Sequence, residues 1–307
     1  MFFQNTLKKR AALNGIGIHN GEMTKVLLIP APVNTGIVFL PFRTDYLPGV
    51  DAHVENLLYT KNAITIGNNG ISIQTIEHFM AAFSALDITN LYILVDGNEL
   101  PILDGSSREI VNAIENAGIH TQNDFYDIFY IPYPIWIEKK GRYLIALPSD
   151  DYKITYTIDF TSKSNAIGTQ TAHFNIDKET FIKSIAPART FGFVEDLKRM
   201  KTNNLARGGS MDNALVFTRN KLMNENLRFE NECVRHKILD LIGGLSLAGY
   251  KMRGHFIAHK SGHRMDMELV KKINKVMNRK KRSRSISRHI LKRKEVEFRR
   301  FLNKMNI

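Results

Sequence analysis

Five consecutive residues, His236-Lys237-Ile238-Leu239-Asp240, set an imidazole and a carboxylate four positions apart. No Pro or Gly interrupts 231–242, and Leu239, Leu241 and Ile242 supply an apolar side, so the segment is expected to be helical. Residues four apart on a helix share a face, which places the His236 ring beside the Asp240 carboxylate. Such a pair suits a divalent metal such as zinc, whose catalytic sites use three protein ligands and leave the fourth position for water. Alone the pair says little, because most His-x-x-x-Asp pairs are solvated or hydrogen-bonded helix faces. A third ligand and a base must come from elsewhere in the chain.

Other residues offer those parts. In 71–86, ISIQTIEHFMAAFSAL, Thr75 is placed to cap a helix with Ile76, Phe79, Met80 and Phe83 as its apolar residues. Glu77 and His78 are adjacent there, about 100° apart on a helix, so only a site at the helix start uses both. The His-Glu-x-x-His arrangement of zinc proteases is absent. His255 and His259 share one face of an expected strand, whereas His263 follows Ser261-Gly262 on a turn that frees its ring. Only one of these three needs a chemical role. His19, in a glycine-rich turn, reads as a solvated ring in preference to a ligand. Thr190 offers a hydroxyl and Phe191 an apolar wall in the loop 186–192. Val194, Leu197, Met200 and Leu205 suit either a groove for an alkyl chain or ordinary packing. Phe160, at a strand end, is a base-stacking candidate or a rim aromatic.

The elements that must position these side chains are mixed. Short strands are expected over 25–30, 36–40, 91–95, 129–137, 143–147, 154–160 and 211–218, with Pro132 and Pro134 breaking the fourth. Helices are expected over 75–86, 108–117, 231–242 and 265–277. The pattern is α+β and restarts in the second half without a residue-level repeat. Residues 119–128, mostly polar, mark a boundary, giving an N-terminal domain 1–123, a C-terminal domain 124–278 with an insert, and a tail 279–307.

Composition narrows the class. With 43% hydrophobic and 24% charged residues in 307, the chain has the means for a sizeable core. No apolar run approaches the ~18 residues of a membrane span. The start MFFQNTLKKR has the wrong order for a secretory signal, and Cys233 is the only cysteine, so a cytoplasmic location is expected. The net charge of +13 is lopsided: 279–307 carries 12 Lys and Arg against 2 Asp and Glu. The near-neutral body argues against nucleic acid as a partner, and no stable protein partner is expected. The tail is expected to be a solvated extension, with weak contact to anionic lipid headgroups as its other use.

Seven segments occur together in one order: GIGIHNG at 15–21, TIEHFMAAF at 75–83, ELPILDGSS at 99–107, ARTFGF at 188–193, GGSxDNA at 208–214, RFxxExVRHKILD at 228–240 and KSGH at 260–263. With these the chain resembles the UDP-3-O-acyl-N-acetylglucosamine deacetylases of lipid A biosynthesis over roughly 4–275. The resemblance implies an α+β fold of two similar domains, each a sheet layered with helices, with a zinc site between them. It implies His78, His236 and Asp240 as metal ligands, Glu77 as general base and His263, cationic, as its partner acid. It further implies that Thr190 and Lys237 assist the substrate carbonyl and that the segment after Phe191, with Leu197 and Met200, forms the acyl passage. Phe160 would stack on the uracil, and Asp196 and Lys237 would lie near the sugar and phosphates.

The residue types agree with that chemistry. An acetamide is a poor electrophile and water a poor nucleophile; zinc lowers the pKa of bound water from about 15.7 toward about 7. The implied activity is hydrolytic removal of the N-acetyl group, the committed step of lipid A biosynthesis, with the UDP-sugar as partner. A zinc hydrolase of another acylated substrate, and an RNA-binding protein acting through the basic tail, are the alternatives.

Overall fold

The computed structural model describes residues 2–42, 49–68 and 70–282, without the side chains of Lys198 and 279–282. The first half runs β1 (Phe2–Leu7), β2 (Ala11–Ile16), β3 (Met23–Pro30), β4 (Ile37–Pro41), β5 (Val50–Asp51), β6 (Leu57–Tyr59), β7 (Thr65–Asn68), β8 (Ile71–Gln74), α1 (Glu77–Ala85), β9 (Leu91–Asp96) and α2 (Arg108–Ala117). β10 (Ile119–Tyr126) returns to pair antiparallel with β1. The second half runs β11 (Ile128–Tyr130), β12 (Ile135–Lys139), β13 (Arg142–Leu147), β14 (Tyr152–Asp159) and β15 (Thr169–Asn175). It continues through α3 (Lys178–Thr180), which widens into π geometry over Phe181–Ile185, then β16 (Phe191–Phe193), α4 (Val194–Thr202) and β17 (Leu215–Phe217). It ends with α5 (Glu232–Ser246), β18 (Lys251–His259) and α6 (His263–Arg282). Among the described residues no helix is long and apolar enough to cross a membrane.

The two halves repeat one topology. The first sheet has the order β2-β3-β9-β4-β5 and the second β12-β13-β18-β14-β15. Pairing directions also match: β4 runs parallel to β9 as β14 does to β18, and the other pairs along each path are antiparallel. In each half a helix precedes the central strand and another follows it, α1-β9-α2 and α5-β18-α6. This is the expected α+β fold of two similar units.

Alternation of apolar side chains drives the strands: Thr24, Val26 and Leu28 of β3 point inward, and Met252, Phe256 and Ala258 of β18 do the same. α2 is amphipathic and buries Ile110, Val111, Ile114 and Ala117. α1 and α5 are different, being buried on nearly every side, and they lie directly against each other. A helix apolar all round belongs in the interior. Polar residues within these two helices are therefore conspicuous, and Glu77, His78, His236 and Asp240 are all buried.

Several boundaries differ from expectation. The 129–137 segment is two strands, β11 and β12, separated at the prolines. Of 211–218 only Leu215–Phe217 is extended, because Asn213 folds the preceding residues into a turn, accepting from Ser210 N and donating to Gly208 O. The last helix starts at His263 and runs on to Arg282, and the rest of the tail lies outside the described residues. β15, unexpected from its polar sequence TQTAHFN, completes the second sheet beside β14.

Candidate metal centre

The site begins at the entry to α1. Thr75 adopts φ 62, a left-handed conformation that strains a β-branched residue by roughly 1–3 kcal/mol. It does not cap the helix: Ile76 holds that position without a side-chain bond, and the Thr75 hydroxyl donates to Glu99 Oε1 at 3.0 Å. The fully buried Glu99 carboxylate also accepts from His19 N at 2.9 Å and Asn20 N at 2.8 Å. One carboxylate thus ties the 15–21 loop to the start of α1 and sets the direction in which Glu77 and His78 emerge.

Gly243 brings α1 and α5 together. A Cβ at this position would lie 2.1 Å from the Glu77 carbonyl oxygen, so only glycine lets the α5 backbone approach the first turn of α1 so closely. The result is convergence. His78 Nε2 is 3.8 Å and His236 Nε2 3.4 Å from Asp240 Oδ1, and the two imidazoles stand edge to face with centroids 5.0 Å apart. His236 Nδ1 donates to the Ala188 carbonyl at 3.0 Å, which fixes the tautomer and leaves the Nε2 lone pair facing Asp240. Ser107 Oγ donates to the His78 carbonyl at 2.8 Å. Among the described residues two groups of possible ligands, with donor atoms within 4.8 Å of one another, are found here: His78, His236 and Asp240, and Glu77, Asp240 and His263.

Electrostatics favours a cation at this point. Burial, with the His236 charge, pushes the His78 imidazole down to about 3, and burial lowers His236 as well. Burial alone would raise the Asp240 carboxyl, but Lys237 and the imidazoles outweigh it and hold the group below the usual carboxylate range. Two neutral imidazoles and one ionised carboxylate form a three-ligand set of the kind zinc takes. Glu77 behaves oppositely: burial and the Asp240 charge push it up to about 8. A divalent cation nearby would favour its ionised form.

Glu77 Oε2 accepts from Ile64 N at 3.0 Å, and Glu77 Oε1 faces His263 Nε2 at 3.6 Å. His263 is pushed down to about 4, by burial first and also by Lys237 and His236 against the pull of Asp240. Without a metal, burial thus lowers the imidazole expected to serve as the cationic acid and raises the facing Glu77 carboxyl. Lys237 donates to Asp240 Oδ2 at 2.5 Å; burial would lower it, but Asp240, Asp266 and Glu77 raise it and keep it an ammonium.

Thr190 lies on the loop beside α5, its backbone N donating to Gly105 O at 2.7 Å. Phe191 starts β16, and its ring stands 6.3 Å from the His236 ring centre. Phe160 packs edge-on to Phe191 at 5.4 Å and tilted on Phe193 at 5.4 Å, forming one aromatic wall. Asp196 accepts from Lys163 at 2.5 Å and Arg199 at 2.8 Å, and Leu197 and Met200 are half-buried on α4.

Two residues read otherwise from the sequence also belong here. His19, expected to be solvated, is 6% exposed, its Nδ1 has no hydrogen-bond partner, and burial lowers its imidazole. Its place in the 15–21 motif was the available signal. Asp266 is buried three residues after His263, accepts from Ser261 Oγ at 2.7 Å and is raised to about 6 by burial. Nothing in its sequence surroundings marks it. His255 and His259 lie on the partly exposed side of β18, where His255 bonds Thr155 at 2.8 Å and His259 stacks on Tyr143.

The chain matches known proteins over nearly its whole length. A family model described as UDP-3-O-acyl N-acetylglycosamine deacetylase matches residues 4–275. A UDP-3-O-acyl-N-acetylglucosamine deacetylase of Leptospira biflexa is 40% identical over 269 residues, 87% of this chain and 88% of that protein. One of Thermodesulfovibrio yellowstonii is 41% identical over 273 residues, 89% of this chain and 92% of that protein. A match over 4–275, which includes both helices that carry the converging side chains, places the chain in the UDP-3-O-acyl-N-acetylglucosamine deacetylase family.

Proposed function

We propose that this chain hydrolyses the N-acetyl group of UDP-3-O-acyl-N-acetylglucosamine, releasing acetate, with one zinc ion held by His78, His236 and Asp240. The observation that carries this is the convergence of His78 Nε2 and His236 Nε2 on Asp240 Oδ1, with Glu77 and His263 beside them, in a chain of this family. Zinc supplies a Lewis acid that polarises the amide and acidifies water.

The chain's own groups do the rest. Glu77, ionised when a cation is present, takes a proton from the attacking water, a role worth typically ~10²–10⁴-fold. As negative charge builds on the carbonyl oxygen, the Lys237 ammonium and the Thr190 hydroxyl donate to it. The C–N bond breaks with proton delivery to the leaving nitrogen by His263, which receives that proton from the facing Glu77. Lys237 stays charged because Asp240 binds it, so its donor role needs no proton transfer. Phe160 stacks on the uracil, while Phe191 opens the acyl passage, which Leu197 and Met200 line. Asp196, neutralised by Lys163 and Arg199, lies toward the sugar and phosphates. Each buried CH₂ of the acyl chain adds ~0.8 kcal/mol of binding remote from the reacting carbon.

The repeated strand order supports two units that meet within β10, where the 123/124 boundary was expected, and α6 carries past 279 as far as Arg282. The single, buried Cys233 suits a cytoplasmic enzyme. The decisive assay follows acetate release from the UDP-sugar with two acyl lengths, with and without a chelator. Release that stops with the chelator and returns with zinc is the expected result; no release from either substrate with zinc present would overturn the reading.

A further inference from the structure

A set of ion pairs centred on one buried carboxylate lies behind the metal ligands and takes no part in the chemistry above. Glu232, at the first turn of α5, is fully buried and its carboxylate is saturated. It accepts from Arg189 N at 2.9 Å, Arg189 Nε at 2.8 Å, Arg189 Nη2 at 3.1 Å and Arg228 N at 2.7 Å. Arg228 in turn holds Asp104 Oδ2 of the first half at 3.0 Å and donates to the Pro187 carbonyl at 2.8 Å. Burial alone would raise both carboxyls; instead Arg189 with the Arg228 backbone holds Glu232 below the usual range, and the Ser106 hydroxyl with Arg228 and Arg108 does so for Asp104.

What these pairs grip is the backbone 187–190. Pro187 O is taken by Arg228, Ala188 O by the His236 ring, Arg189 N by Glu232, and Thr190 N and O by Gly105 and Leu215. The opposite loop is fastened to the same place: Ser107 N donates to Ala186 O at 2.9 Å, while Ser107 Oγ supports the His78 carbonyl. Gly105 sits at φ 84 between the 208–214 loop, whose Asn213 carbonyl a Cβ would approach to 2.1 Å, and the Thr190 methyl, which it would meet at 3.5 Å. One docked pair of loops, 104–107 and 186–190, therefore backs both imidazoles, one from each half of the chain.

We propose that Asp104, Arg228, Glu232 and Arg189 act as a positioning clamp for the metal centre. They fix the Ala188 carbonyl that orients His236, the Ser107 hydroxyl behind His78, and the Thr190 backbone. Loss of the clamp acts on the zinc ligands through the loops, without removing any group that touches metal or substrate. The proposal rests on the zinc reading above.

The test measures zinc affinity by competition with a chromophoric chelator, alongside kcat, KM and thermal melting, for the wild type, Asp104→Asn, Asp104→Glu and Glu232→Gln. Outer partners of metal ligands typically contribute about 10–100-fold in affinity or activity. Asp104→Asn is expected to weaken zinc binding about tenfold, to lower kcat with KM little changed, and Asp104→Glu, which keeps the charge, is expected to recover most of both. A merely structural role would lower the melting temperature and leave the zinc affinity of the folded protein untouched. If Glu232→Gln does not fold, the partly accessible Asp104 pair decides the matter. Tight zinc binding by the wild type, with both properties of folded Asp104→Asn unchanged within about twofold, would overturn the clamp alone. A wild type that binds no zinc would overturn the metal reading and the clamp with it.

Discussion

Single residues carry different parts of the account and can be separated experimentally. Replacing His236 with Ala removes a proposed ligand, and zinc affinity should fall by more than the ~10–100-fold typical of an outer partner, measured by chelator competition. Glu77→Gln should retain zinc and lose about 10²–10⁴-fold in kcat; zinc loss of the same size would make Glu77 a ligand. The shifted groups also set the pH dependence of the metal-free chain. Glu77 is raised to about 8, so the stability it contributes is present below its unfolded value and is lost as pH rises through about 8. His78 and His263 are depressed to about 3 and about 4, so their contribution is present above the ordinary imidazole range and is lost as pH falls. Stability in chelator should therefore peak near pH ~6.5 and drop by on the order of 2 kcal/mol by pH ~8. Melts of Glu77→Gln should lack that alkaline drop. The helical spacing made the His236–Asp240 pair legible in the sequence, and the resemblance supplied His78, Glu77 and His263. The burial of His19 was not legible, because Glu99, 80 residues away, pins the loop that carries it. The same carboxylate drew Thr75 away from the cap its type suggested.

Among the elements, α1 and α5 decide whether the ligands meet. Both stood out as helices, but their contact did not, since it depends on Gly243 meeting the Glu77 backbone, which only three dimensions reveal. Gly243→Ala should force the two helices apart. A destabilisation of about 1–3 kcal/mol is expected from the overpacking, with weaker zinc binding by the folded protein. Melting and chelator competition measure the two separately. Unchanged zinc affinity would mean that the contact serves packing alone. Strand β15 escaped the sequence reading because its residues, Thr169 to Asn175, are mostly polar and half exposed at the sheet edge, so tertiary pairing with β14 outweighs local pattern. The turn at Asn213 shortened the expected strand before β17 for a similar reason, a local side-chain bond competing with the sheet.

At the scale of the molecule, the chain is one topology used twice, with the proposed ligands divided between equivalent helices. The restart of strands and helices was visible in the sequence, but the duplication was not provable there, because strand order repeats while residues do not. The tail shows how charge separates from fold: 279–307 holds most of the net charge of +13, yet the site is assembled wholly within the body. Deleting 283–307 should leave kcat and zinc affinity unchanged and reduce binding to anionic vesicles, each basic residue near the surface being worth about 1 kcal/mol. Vesicle sedimentation with full-length and shortened chains measures this, and equal binding by both would exclude the tail as a membrane contact. The central claim is that the two halves close on a single metal, and anomalous scattering at the zinc edge from crystals of the zinc-loaded chain tests it most directly. The account predicts one peak within about 2.0–2.2 Å of His78 Nε2, His236 Nε2 and an Asp240 oxygen together. A peak bound by α5 alone, or lying elsewhere in the chain, would contradict it.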